Sequence, residues 1–470
     1  MEQTQQPKAN PLGTEPIGKL IIRFAIPAVI ALLVNAIYNI VDQIFIGNSD
    51  IGMFGIAATN VAFPLVTIGT SLALLFGIGG AANFNLSLGR KEYEKASLSA
   101  GNALSLLTIF GLGVGLIASI FLLPMLNIFG ATSDIMPLAT SYTRIIAIGI
   151  PFMIFTTGAC QLIRADGSPT YSMMCLVSGA VFNLVFDPIF LYVFNMGIEG
   201  IALATILGQL LTSIIALVYM LKRFKSVPLK AQHLRIKLEY FKMIISLGMA
   251  SFFNQIAMTV VQIALNNTLR HYGALSKYGS EIPLACVGAI SKVNILFMAF
   301  TIGIAQACQP INGYNYGAKN YARVRQTLRL ALTAATTISV IVFLVFQIFP
   351  REVISIFGPG SEEYFEFAVR YLRIYMFMTF ANGIQPITSN FFTSIGKAKI
   401  SLFIAMTRQV IFLLPLLLIL PLSMGIDGVT FAGPIADAAA AILACTFIAR
   451  EFRKIKKLEQ EQLIAAVQPD

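Results

Sequence analysis

Two aspartates lie inside stretches otherwise apolar enough to cross a membrane. Asp42 ends a run in which Asn35, Tyr38, Asn39 and Asp42 recur at three- and four-residue spacing, which places them on one face of a helix. Asn183 and Asp187 stand four apart and share a face of another helix, with Pro188 directly after them. A proline there removes an amide donor, so the Leu184 carbonyl is free for a cation, a proton network or water. Burying an ionisable side chain in hydrocarbon costs at least about 2.5–3.5 kcal/mol, which makes each acid a candidate site. Two neighbouring carboxylates in low dielectric resist double ionisation and titrate as one coupled unit. That is proton-exchange chemistry; with both ionised, Asp42, Asn183, Asp187 and Thr205 could instead hold Na+.

Depth supports this convergence. With the N-terminus inside, Asp42 lies about four residues from the outer end of its span, Asp187 about seven, and Thr205 about seven residues into the next span, all within roughly 5 Å of one height. The structural alternative leaves Asp42 solvated at the interface and Asn183 and Asp187 capping a helix break. The asparagines and Thr205 could equally be polar glue between helices.

The second half offers a poorer set. Its first span carries Asn254, Gln255, Gln262 and Asn266 without a carboxylate, and Leu416 stands near where Asp187 would repeat. Asp437 is the one acid in a span there. Lys292 should lie at a similar depth, so a structural Lys292–Asp437 ion pair is expected. Arg408 lies nearer mid-membrane and could pair there or line a cavity. Asn35, Asn39, Gln255, Lys292, Arg408 and Asp437 are thus polar cavity candidates, and ion coupling is assigned to the first half.

Positioning these groups requires membrane-spanning helices. The 470 residues are 57% hydrophobic and 12% charged, half the charge of a soluble chain, and the mean hydropathy is +0.78. Twelve apolar stretches are centred near residues 34, 69, 111, 151, 184, 210, 255, 297, 340, 378, 411 and 439, and almost nothing remains for a soluble catalytic module. Of 33 Lys and Arg, 25 fall at the termini and in one alternating set of loops, whereas the other set holds only Arg270, Lys277 and Arg351. This positive-inside pattern predicts a multi-pass membrane protein with both termini cytoplasmic. It also accounts for the net charge of +11 without nucleic acid. The first span is too long to be a cleaved signal peptide.

The halves repeat at an offset of about 228 residues. Met196-Gly-Ile-Glu-Gly200 recurs as Met424-Gly-Ile-Asp-Gly428, Gly89-Arg-Lys-Glu-Tyr93 as Gly317-Ala-Lys-Asn-Tyr321, and Tyr142-Thr-Arg144 as Tyr371-Leu-Arg373, one residue out of phase. Six helices per half give a parallel repeat about an axis along the membrane normal, the usual machinery of alternating access. The expected units are residues 1–221, a basic linker 222–242, and 243–470.

Cys160, Cys175, Cys286, Cys308 and Cys445 read as small core residues, and His233 and His271 as solvated loop residues. None of the 36 Phe and 17 Met can be singled out as a ligand. No nucleotide-binding Gly-x-x-x-x-Gly-Lys-[Ser/Thr] and no hydrolase motif occurs, so an enzyme is not expected and energy must come from an ion gradient or from the substrate.

Asn183-Leu-Val-Phe-Asp187-Pro188, the Gly89–Tyr93 loop and Gly197-Ile-Glu-Gly200, in two six-helix repeats, resemble the multidrug and toxic compound extrusion (MATE) family, and within it the MepA-like and DinF-like members. The resemblance implies V-shaped paired lobes that rock between outward- and inward-open states, exchanging H+ or Na+ for bulky, often cationic aromatic compounds. It places coupling acids at Asp42 and Asp187, assisted by Asn183, Thr205 and Tyr142. It requires no cofactor beyond the coupling ion, and the partners expected are drug-like small molecules and membrane lipids, with the protein a monomer. The NorM-like pattern would need carboxylates in the seventh and tenth helices, where Gln255, Gln262, Asn382 and Gln385 stand instead. The rival reading is a flippase of lipids or lipid-linked oligosaccharides from the same superfamily, kept open by Lys292 and Arg408.

Overall fold

A computed structural model describes residues 10–356 and 360–467, whose regular structure is helical throughout. Lys8, counted among the loop cations, lies outside them. Eleven helices among the described residues are long and apolar enough to cross a membrane, and the chain is a multi-pass membrane protein. The first lobe contains α1 (Ile17–Gly47), α2 (Gly52–Gly89), α3 (Tyr93–Ile120), α4 (Met136–Ala165), α5 (Pro169–Pro188, prolonged by a π-turn at Ile189–Val193) and α6 (Gly197–Lys222). The second contains α7 (Leu238–Ala274), α8 (Glu281–Gly317), α9 (Tyr321–Ile348), α11 (Ala398–Met424) and α12 (Ile426–Val467).

The tenth crossing differs from the continuous span expected near residue 378. It is built in pieces, Glu362–Tyr375, a 3-10 turn Phe377–Ala381, and Ile384–Ser394, together called α10. Within the break the Thr379 hydroxyl donates to the Met376 carbonyl at 2.6 Å. Gly383 also packs so closely that a β-carbon would come within 3.1 Å of Ala335 and Ser339. α11 deviates too, carrying a π-helical stretch over Thr407–Leu413.

The internal repeat extends to backbone angles. Left-handed residues pair across the halves: Lys91 (φ 62°) with Lys319 (57°), Gly167 (82°) with Gly396 (83°), and Gly197 (59°) with Gly425 (58°). All of them fall in loops or at helix starts, where a lone left-handed residue turns the chain between helices.

The lobes exchange helix ends at the face that carries both termini. Ile17, Leu20 and Phe24 at the start of α1 belong to the same buried cluster as Ile304, Val324 and Phe391 of the second lobe. At its other end Ile46 packs with Leu191 and Ile201 of the first. Reciprocally, Tyr240 and Ile244 at the start of α7 join the first lobe's core. Arg323 fixes the N-terminal segment by donating to the carbonyls of Leu12 (3.1 Å) and Glu15 (2.6 Å).

Glycines let the backbones of the two lobes touch at this face. A β-carbon on Gly79 would lie 2.0 Å from the Ile244 carbonyl oxygen, and one on Gly248 1.8 Å from that of Leu75. Gly89 and Gly317 fit against Tyr314 and Leu86 in the same way. Across this contact Gln309 donates to the Ile78 carbonyl at 3.3 Å, and Arg164 donates to Gln306. Among the described residues the hydrogen bonds between the lobes lie in this half of the molecule.

The basic linker is docked rather than solvated. Asn102 donates to the carbonyls of His233 and Arg235 (both 3.2 Å) and accepts from the Lys237 amide (2.8 Å). Ser105 donates to the Leu234 carbonyl at 2.6 Å. His233, expected in solvent, is 1% exposed, because Gly101 leaves room for its backbone. Its Nδ1 accepts from the Lys230 amide at 3.1 Å, so Nε2 carries the ring proton and faces Glu94 at 3.3 Å. His271 is exposed, but in the last turn of α7 rather than in a loop; four cysteines are buried and Cys445, expected in the core, is exposed, all with free thiols.

Candidate functional site

α1 and α5 bring Asp42 and Asp187 into direct side-chain contact. Their neighbours are placed by helical spacing: Asn183, one turn before Asp187, donates to its Oδ1 at 2.9 Å and to the Thr205 hydroxyl of α6 at 3.2 Å. Asp187 is 1%, Asn183 4% and Tyr142 8% exposed. Tyr38, one turn before Asp42, and Tyr142 of α4 lie within electrostatic range of both acids. The five residues singled out for ion coupling therefore meet in one place. Pro188 does not end the helix there. The chain passes through it and absorbs the missing amide as the π-turn Ile189–Val193.

The chemistry follows from the polar atoms. Two facing carboxylates repel unless a proton or a cation lies between them. Asp42 Oδ1 and Asn183 Oδ1 are both buried without a hydrogen-bond donor, a state that costs about 1–3 kcal/mol per group when nothing fills it. Every available ligand atom is a hard oxygen, which suits H+ or Na+ and not a soft transition metal.

The rest of the polar stripe on α1 is separate from this pocket. Asn39 donates to the Asn35 carbonyl at 2.7 Å and to its side chain at 3.0 Å, and both residues are exposed. Gln255 is half-buried, and no hydrogen bond from its side chain occurs among the described residues. Among the described residues none of the three side chains hydrogen-bonds to Asp42 or Asp187.

In the second lobe the expected Lys292–Asp437 pair does not form. Asp437, 1% exposed in its side chain, is bonded by Arg408 Nε at 2.5 Å, and Lys292 is exposed. The π-helical stretch of α11 explains the difference, because an added residue per turn rotates Arg408 away from the register of a regular helix and onto α12. Tyr375 lies beside the pair. Arg408→Met should strand a buried carboxylate and cost about 3–5 kcal/mol, whereas Arg408→Met with Asp437→Leu should recover most of it. Thermal unfolding in detergent checks this: a double variant no more stable than the single would contradict the pairing.

Sequence reading missed two further polar sites at the termini face. Arg164 counted as a loop cation, yet it is 7% exposed and held between Gln161 (2.7 Å) and Gln306 of the other lobe. Asp166, two residues on, accepts from the Tyr219 hydroxyl (2.7 Å) and the amides of Lys225 (2.9 Å) and Ser226 (2.8 Å). Burial pushes its carboxyl up, against the hydrogen bonds that hold it down. The only signal was the Arg164-Ala-Asp166-Gly167 sequence at a helix end, where charges are ordinary.

The MatE family model matches residues 27–189 and 250–419. The multidrug export protein MepA of Staphylococcus aureus (strain MSSA476) is 25% identical over 440 residues, covering 92% of this chain and 94% of that protein. MepA of Staphylococcus haemolyticus (strain JCSC1435) is 23% identical over 450 residues, covering 95% and 96%. The solved MATE multidrug transporter DinF-BH superposes with a TM-score of 0.86 at 35% identity, covering 95% of this chain and 98% of that one. A MOP superfamily transporter from Pyrococcus furiosus reaches a TM-score of 0.87 at 23% identity, with 95% and 98% covered, which speaks for a shared fold.

Proposed function

Because this chain belongs to the MatE family, we propose that it is a multidrug efflux transporter, not an enzyme, that exports bulky, often cationic aromatic compounds in exchange for H+ or Na+ held by Asp42 and Asp187. The observation that carries the reading is the buried contact of these two carboxyl groups, with Asn183 donating to one of them. The relatives named for multidrug export and the multidrug transporter DinF-BH support the substrate class. In this reading the basic face is cytoplasmic and both termini lie there, so the lobes meet at the cytoplasmic side.

α1 supplies the coupling between ion and lobes. Its first turns are embedded in the second lobe through Ile17, Leu20 and Phe24, while Asp42 near its other end meets Asp187 of the first. Charging or neutralising the acid pair therefore acts on a helix anchored in both lobes, and a change in that contact biases alternating access. The coupling ion is cargo, and no resident cofactor enters the cycle. The flippase alternative needs a cationic cavity, and Arg408 is neutralised by Asp437, leaving Lys292 to serve it.

Ethidium efflux from a pump-deficient strain tests the reading. Wild-type efflux should collapse when an uncoupler is added, or when Na+ is withdrawn if Na+ is the ion. Efflux that survives both treatments would overturn it.

A further inference from the structure

The basic face holds a second cavity that ion coupling does not use. It measures about 570 Å3 and lies where α1, the α4–α5 turn, α5 and the end of α6 meet. Arg23, Lys222, Arg223 and Lys225 line it together with the hydroxyls of Ser168 and Thr170, and no carboxylate does. Asp166, next to the lining residue Gly167, has its oxygens committed to Tyr219 and to the amides of Lys225 and Ser226. Arg23 shares a solvent-exposed contact of 3.3 Å with Glu15, worth little in water. Lys225 Nζ donates to Ser168 at 3.2 Å, Arg223 sits 5.8 Å above the Tyr171 ring, and Lys222 forms no ion pair among the described residues. α5 begins at this cavity with Pro169, so the positive end of its dipole adds to the four cations.

An apolar groove continues from it. Met174 lines both the cavity and a space of about 520 Å3 that follows one face of α5 past Val177, Val181, Phe182 and Val185 to Phe186. From Met174 to Phe186 this face rises about 18 Å at 1.5 Å per residue, close to the roughly 15 Å that one leaflet contributes to the hydrocarbon core. A free anion would have no use for the groove, and a neutral lipid none for the cations.

We infer that this cavity and groove form a binding site for an anionic phospholipid of the inner leaflet, its phosphate among Arg23, Lys222, Arg223 and Lys225 and one acyl chain along α5. The cations sit at the headgroup level and the groove descends from it, which matches the charge and the shape of such a lipid at once. The site touches α1, α5 and α6, the helices that carry Asp42, Asp187 and Thr205. Its occupancy is read by binding alone, so it stands or falls independently of the transport reading.

The full chain, purified and delipidated, would be titrated with phosphatidylglycerol, with phosphatidylcholine of the same chains, and with inorganic phosphate, following thermal stability. The same titrations on Lys222→Gln/Arg223→Gln/Lys225→Gln and on Val181→Asp probe headgroup and groove. Phosphatidylglycerol should stabilise wild type at concentrations at least about fivefold below phosphatidylcholine, the size of one well-placed charge contact at the membrane surface. Both variants should lose that preference while keeping the wild-type melting temperature without lipid to within a few degrees. Equal effects of the two lipids on wild type would overturn the site, as would an equal response of the triple variant. Inorganic phosphate reproducing the full effect would assign the cavity to a free anion and overturn the lipid assignment.

Discussion

Asp187→Asn is expected to reduce ion-driven ethidium efflux on the order of a hundredfold or more, the scale on which a required proton carrier contributes. The amide keeps the shape of the side chain and can still meet Asn183, which donates to Asp187 at 2.9 Å. It cannot take up or release a proton, and it contributes no charge to a bound Na+. Asp42→Asn should do the same from the other side of the contact. Because the acids act as one unit, the double variant should be scarcely worse than either single one, a non-additivity that independent sites would not give. Thr205→Val removes one hydrogen-bond partner of Asn183 and should cost only several-fold, as for a neutral hydrogen bond. Efflux rates in everted vesicles, normalised to the amount of protein, check the series. An Asp187→Asn variant with more than half the wild-type rate, or a double variant whose losses multiply, would contradict the coupled site.

The second large effect is conformational. Gly248→Ala places a β-carbon 1.8 Å from the Leu75 carbonyl oxygen, and real β-carbons essentially never approach closer than 3.0 Å. That oxygen belongs to backbone and cannot swing aside, so α2 and α7 must separate. A packed interface yields by switching to its other arrangement rather than by stretching, which shifts the population of the closed state. Gln309, 4% exposed at this contact, is a suitable reporter. In a Cys445→Ser background, Gln309→Cys should react with an impermeant maleimide from the basic face at least about tenfold faster when Gly248→Ala is present. Equal labelling rates would show that the lobes do not close through these glycines.

Much of this molecule is legible before any coordinates, for physical reasons. Hydrocarbon punishes charge so heavily that the few intramembrane acids stand out, and helical spacing then groups Asn183 with Asp187. The repeat is readable because left-handed turn positions such as Lys91 and Lys319 sit in recurring local sequence. Pairing across helices is harder. Depth alone sets Lys292 beside Asp437, and depth cannot reveal a π-helical stretch that turns Arg408 by a fraction of a helical turn onto the same acid. His233 shows a similar limit: a polar linker reads as solvated, while its burial depends on Asn102 and Gly101 of a distant helix. The glycine contacts between lobes were hidden as well, because small residues in apolar spans are common and only their partners give them meaning.

The central claim is that one ion occupies the Asp42–Asp187 pocket and leaves when drug binds. It is tested most directly by counting ions released when ethidium is added to purified protein, using a pH indicator without Na+ and then a Na+-selective probe at fixed pH. Wild type should release close to one H+ or one Na+ per ethidium bound, and Asp187→Asn should bind ethidium and release neither. Binding to wild type without ion release, or equal release from the variant, would contradict the account.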